Sequence, residues 1–298
     1  MAFLTRAIIR VFSATISIRT SDKVEINERK LPSDTLYITG MAKPMNVAFK
    51  VASGDFVNEI DALFEAGHYA SENSIQIAKL KRAAKNLINA DATAGWTHLG
   101  MVYAVVGNES ELKRCFRTAR NLHPDQTDLV NMLTTYAYLG FCSVVVELYS
   151  EIGSPERGNF PTALMTGLSR GAFQTSASFI AVAKRLQIDM EGLPVTLAEK
   201  CAEILRRFDL SDAHVARHLD AAGAVLRERR VFEARIPEIL ASDVEGFMTG
   251  VTMVLYIKCE PSDIASFNFA LAQKEYELKV VKHFAFDVVF AAAIGDGE

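Results

Sequence analysis

The run Trp96-Thr97-His98-Leu99-Gly100-Met101-Val102-Tyr103, followed by Gly107, Phe116, Ala119 and Pro124, decides how this chain is read. Trp96, Leu99, Gly100 and Tyr103 stand three, four and seven residues apart, so they share one helix face. Gly100 has no side chain there and lets a second helix come close. Gly107-Asn108 supplies the turn that ends the first helix. A second helix then runs over Glu109–Asn121, with Leu112, Phe116 and Ala119 as its inward stripe, and Pro124 stops it.

This order of residues resembles one tetratricopeptide repeat (TPR), a helix–turn–helix unit of about 34 residues. Leu112 stands where the family usually has a small residue, a departure that implies a slightly splayed hairpin. The resemblance implies several such hairpins stacked into one core, because a single hairpin cannot bury its apolar face. It also implies a concave groove, lined by first helices, that takes an extended peptide or a helix. In the Trp96 unit the groove positions are Thr97, His98 and Met101; in the next unit they are Asn131, Met132 and Thr135. TPR proteins that clamp a C-terminal carboxylate use Lys and Asn at such places. Thr97 and Met101 do not supply them, and the lining suits an apolar or helical ligand, to which Met101 and Met132 can adapt. The alternative is that this face packs against the protein's own N- or C-terminal segment.

Working outward, helical periodicity holds from about residue 55 to 190. Phe56, Ile60, Leu63 and Phe64 form one stripe, and Ile75, Ala78, Leu80, Ala83, Ala84 and Leu87 another. Leu129, Leu133 and Tyr136 start a helix that ends near Gly140, and Val144–Tyr149 begins its partner. Phe160–Leu168 and Ser176–Leu186 pair across Gly171. An echo, Ala84-Lys85-Asn86-Leu87, Ala119-Arg120-Asn121-Leu122 and Ala183-Lys184-Arg185-Leu186, falls near the end of three second helices. There its basic residue complements the helix dipole. About four hairpins are therefore expected over 56–190. Residues 191–240 add amphipathic helices over Thr196–Phe208 and Ala213–Arg230, the latter capped by Ser211-Asp212.

Both ends differ from this middle. Residues 1–54 suggest a helix over 2–12 and short strands around Ile16, Val24 and Leu36–Thr39. In 241–298, Val251–Ile257 reads as a strand, Pro261-Ser262-Asp263 starts a helix to about Lys274, and His283–Phe290 reads as a second strand. Phe284, Phe286, Val288 and Phe290 form one face of that strand. Two strands are marginal, so added strands are expected, with residues 12–40 as the source. The fold class is thus mainly α: a TPR-like, right-handed helical-hairpin array with a small α/β region.

Composition sets the limits. Half of the 298 residues are hydrophobic, enough for a large core. The formal net charge of −4 excludes a polyanion binder built on whole-domain charge. The basic clusters Lys79–Lys85, Lys113–Arg120 and Arg227–Arg230 read as solvated faces, so nucleic acid is not expected as a partner. Cys115, Cys142, Cys201 and Cys259 are far apart and form no metal motif, which fits reduced thiols. No apolar run is long enough for a membrane helix. The location expected is cytoplasmic, with an organellar alternative if the Arg- and Ser-rich residues 1–21 act as a targeting segment.

Candidate chemistry is sparse. His214 and His218 are four apart on one helix, with Asp212 and Asp220 near, but no third ligand is identifiable. Arg207 and His214 resemble the loose Arg–His signature of HEPN-type ribonucleases, although Asp209, Ser211 and Asp212 break the helix between them. Phosphate loops, nucleophile elbows and triads are missing. Neither catalytic residues, nor a metal, nor a cofactor are assigned. The expected function is a scaffold or adaptor that binds a protein or peptide partner, with self-association as an alternative. The rival readings are an enzyme with its site among His283, Asp287, Lys258 and Glu260, and a nucleic-acid binder.

Overall fold

The computed structural model describes residues 47–156, 158–244 and 248–293. The expected helix over 2–12 and the strands over 12–40 lie outside the described residues. The chain divides into two compact units, Met1–Val57 and Asn58–Glu298. Helix α1 (Val47–Glu65) runs across that boundary, and the rest concerns the second unit.

The second unit is mainly helical, with a small three-stranded sheet near its C-terminal end. After α1 come α2 (Ile75–Ile88), α3 (Ala92–Val105), α4 (Glu109–Arg120), α5 (Gln126–Tyr138), α6 (Cys142–Glu151), α7 (Phe160–Ser169) and α8 (Phe173–Arg185). Then follow α9 (Val195–Arg207), α10 (Asp212–Arg229), β1 (Glu238–Val244), β2 (Met248–Ile257), α11 (Ile264–Glu277) and β3 (Phe286–Ala292). Caps explain many of the boundaries. Ser74, Asp91, Asn108, Asp125 and Ser211 each accept a first-turn N–H with the side chain. Gly107, Gly140 and Gly171 end first helices at positive φ, which costs glycine little.

Three antiparallel hairpins, α3/α4, α5/α6 and α7/α8, form the array, and their first helices also pack on one another in the order α3, α5, α7. Helix α2 packs on α3. At Gly100 a Cβ would lie 2.3 Å from the Phe116 ring, so the close approach read from the sequence is present. Leu112, Phe116 and Ala119 are all buried. Ala84, Ala119 and Ala183 of the echo are buried too, each near the end of its helix.

Helix α10 closes the array from another direction. It packs on α6 and α8, and on α11 and β3. Gly223 in mid-α10 meets Gly140 in the α5–α6 turn, backbone against backbone. Arg227 Nη1 donates to the carbonyls of Leu139 and Gly140 at 2.7 and 3.1 Å. Asp212 at the other end of α10 accepts the Gln174 and Thr175 N–H groups, both at 2.8 Å.

The sheet order is β1-β2-β3. β1 is antiparallel to β2, with Glu238 opposite Val254. β2 and β3 are parallel, with Val251 opposite Phe286 and Leu255 opposite Phe290. The inner face, Val251, Met253, Leu255, Ile257, Phe286, Val288 and Phe290, is buried. Helix α9 packs against β1 and β2, and α10 and α11 against β3. Two expectations need correction. The third strand is 238–244, which the sequence reading passed over. Phe284 does not belong to the inward face of β3, because the strand starts only at Phe286 and Phe284 is exposed.

Candidate interaction surfaces

The first-helix face comes first. Thr97, His98, Met101, Met132 and Thr135 are buried, and Asn131 is half-buried. The hydroxyls of Thr97 and Thr135 donate to the carbonyls one turn back, Thr93 and Asn131, at 3.0 and 2.7 Å. Burial lowers the His98 pKa to about 4 against the pull of Asp91, so its ring is neutral at pH 7. Burial also pushes Asp128 up to about 7, with Asp125 and Asp91 adding to the rise. In this structure the face is an interior surface, lined by the neutral His98 ring and by Asp128, whose ionisation burial opposes.

The candidate chemical groups do not converge. His218 is fully buried. Its Nδ1 lies 2.8 Å from Glu275 Oε1 and its Nε2 lies 3.2 Å from the Val281 carbonyl. Both ring nitrogens are thus engaged by oxygens of the fold itself, and neither faces an open position where a metal could bind. Lys282 Nζ sits 2.6 Å from the other oxygen of Glu275. Burial opposes ionisation of Glu275, but the hydrogen bonds from His218 and Lys282 outweigh it and hold its pKa below the ordinary value. Arg207 is on α9 and grips Asp243 of β1 at 3.0 and 3.2 Å, while His214 is on α10, so they do not form an Arg–His pair. Lys258 Nζ donates to the Glu65 carbonyl, and His283 Nδ1 accepts from Ala285 N–H. Arg170 and Glu233 form a buried ion pair at 2.6 Å that ties the end of α7 to the segment after α10. Among the described residues no three His, Cys, Asp or Glu side chains gather as for a metal, and the four cysteines are free.

What the structure does gather is apolar surface. Within residues 269–284, Phe269, Tyr276, Val281 and Phe284 are 68, 87, 67 and 79% exposed. Phe269 and Tyr276 are two turns apart on the outer side of α11. The loop that follows is pinned from within. Arg217 Nη2 donates to the carbonyls of Leu278 and Lys279, and His218 holds that of Val281. The backbone is therefore fixed while large side chains project outward. Sequence reasoning assigned Phe284 to the core. The signal it missed is the charged or polar neighbours beside these side chains: Glu275 and Glu277 around Tyr276, Lys282 after Val281, and His283 before Phe284.

Among the described residues no helix is long and apolar enough to cross a membrane. Compared with protein-family models, curated proteins and solved structures, the chain finds no match in any of the three.

Proposed function

We propose that this protein is an interaction scaffold without an active site of its own: a TPR-like stack of helical hairpins that carries a small α/β region and docks a partner protein. The observation that carries the reading is the exposed set Phe269, Tyr276, Val281 and Phe284 on an internally pinned segment. Its three aromatic rings leave on the order of 450 Å² open to water, taking about 200 Å² for each ring. At about 25 cal/mol per Å², covering them is worth on the order of 10 kcal/mol before the costs of association. Five of the nine large apolar side chains exposed among the described residues, the four named above and Leu278, fall within this one segment of the chain. The first-helix face remains the partner site that the TPR resemblance implies, but a ligand reaches it only if what buries it moves aside. The α11 surface needs no such opening.

The test is affinity capture with wild type, with Tyr276→Glu/Phe284→Glu, and with Lys184→Glu as an exposed control, after circular dichroism shows equal folding. The expected result is a partner kept by wild type and the control and lost by the double variant. A partner indifferent to Tyr276 and Phe284, or none, rejects the α11 surface. Light scattering on the same proteins identifies a second copy as the occupant if a dimer is lost with the variant.

A further inference from the structure

We propose that the outer crest of α2 docks a nucleic-acid duplex. This inference is independent of the α11 surface. The sequence counts eight cations on α2 and α4 alike; the structure separates them. On α4, Lys113, Arg114 and Arg120 are each paired with a carboxylate, of Glu109, Glu111 and Glu151 respectively, and Arg117 alone has no carboxylate partner among the described residues. On α2 only Lys81 is paired, with Glu72. Lys79, Arg82 and Lys85 are exposed and have no carboxylate partner among the described residues. The helix contains no acidic residue at all. Lys85 complements the dipole of the last turn, but Lys79 and Arg82 stand too far from it for that to explain them.

The arrangement is directional. Ile77, Leu80 and Ala84 bury one side of α2 against α3, the only helix α2 packs closely against among the described residues. Opposite them, at spacings of four, three and four, stand Ile75, Lys79, Arg82 and Asn86, with Lys85 on the flank. Ile75 is 78% exposed at the start of the helix. A helix is about 10–12 Å wide with its side chains, and the major groove of B-form DNA is about 12 Å wide. The crest carries the side-chain types that read base edges there: Lys and Arg for guanine, Asn for adenine, and an apolar group for the thymine methyl. Ile75 and Asn86 flank the three cations at the two ends of the crest; an anionic membrane would take the cations and the isoleucine, but it offers Asn86 no paired donor and acceptor such as the adenine edge presents. The net charge of −4 limits affinity, so binding rests on local phosphate contacts and is steeply salt-dependent.

Fluorescence anisotropy with a mixed-sequence 20-base-pair duplex tests this. On a mixed-sequence duplex the three cations meet phosphates rather than matched bases, and three phosphate contacts give a log–log salt slope of about −2.7, which is about 40-fold weaker binding at 200 mM than at 50 mM salt. Lys79→Ala/Arg82→Ala/Lys85→Ala is expected to flatten that slope to near zero. Lys113→Ala/Arg120→Ala, where the cations are already paired, is expected to stay within about twofold of wild type. All substitutions are on exposed positions, and circular dichroism checks the fold. The proposal is overturned if the duplex is not bound at 50 mM salt, if both variants lose binding equally, or if polyglutamate or phosphatidylserine vesicles bind α2 and the duplex does not.

Discussion

Gly223→Ala is the sharpest probe of how α10 is held. A Cβ at Gly223 would lie 2.0 Å from the Gly140 carbonyl oxygen and 2.8 Å from the Gly140 Cα. Ordinary contact needs about 3.4 Å, so α10 or the α5–α6 turn must move by over 1 Å, and no side chain is there to rotate away. The same stretch of α10 carries the hydrogen bonds that fasten that turn. Arg227 donates to Leu139 and Gly140, and Asp220 accepts from the Ser143 N–H at 3.1 Å and from the Ser143 hydroxyl. A shift over 1 Å breaks bonds of this length. In an exposed helix the substitution would gain about 1 kcal/mol from propensity. Here overpacking costs about 1–3 kcal/mol, and each charge-assisted bond lost costs about 1.5–3 kcal/mol. With the two Arg227 bonds lost, the expected net loss is about 3–8 kcal/mol, read from urea unfolding. Gly192→Ala is the control: that glycine has φ +74° and open space around it, so backbone strain alone costs about 1–2 kcal/mol. Arg227→Ala should also cost less in the Gly223→Ala background than in wild type, because its bonds are already gone. A Gly223→Ala protein as stable as wild type, or more stable, refutes the reasoning.

Two further substitutions test the buried polar groups. Helix α8 starts at Phe173 with no side-chain cap of its own, and Asp212 of α10 caps it instead through Gln174 N, Thr175 N and Thr175 Oγ1. Asp212→Ala should cost about 2–4 kcal/mol in urea unfolding and Asp212→Asn about half of that; a loss below about 0.5 kcal/mol would count against the cap. Asp128 has its pKa raised from 3.8 to about 7, chiefly by burial. The folded chain thus holds a proton that the unfolded chain releases, and stability falls as pH rises from about 4 to 7. Asp128→Asn removes that penalty, so its Tm should exceed wild type at pH 8 and the gap should close below pH 4. An equal gap at both pH values would show that titration is not the cause.

Legibility in the sequence followed the strength of local signals. The helices repeat an apolar stripe over ten or more residues, and the Gly107-Asn108 turn and the Ser211 cap mark boundaries between them, so these elements were readable. β1 was not. Pro237 and Glu238 open it, and Leu240 on it is exposed, so it lacks a clean alternation, and it forms because β2 offers an edge to pair with. The Gly140–Gly223 contact, the Asp212 cap and the Arg170–Glu233 pair join residues 37 to 83 apart in sequence order by no local rule, and only the fold brings them together. Phe284 illustrates register: starting the strand at His283, three residues before β3 begins, kept the correct parity for Phe286, Val288 and Phe290 but carried an exposed ring into the core.

One signal for the layer order stood in the sequence throughout. Helix α3 contains a single ionisable residue with polar character, His98, apart from Tyr103; α7 contains none; α4 carries four cations and two acids in twelve residues. A helix without charge on any side has no face it can leave in water at low cost. The first helices, buried around most of their circumference, follow from that composition, and the charged second helices form the outer layer. A groove that stays open between partners has to be wetted when empty. The residues between the packing positions of α3 are Thr97, His98 and Met101, and the structure seals all three. The surfaces open to a ligand without rearrangement are therefore on the outside, where α2 presents cations with no carboxylate partner among the described residues and α11 presents exposed rings.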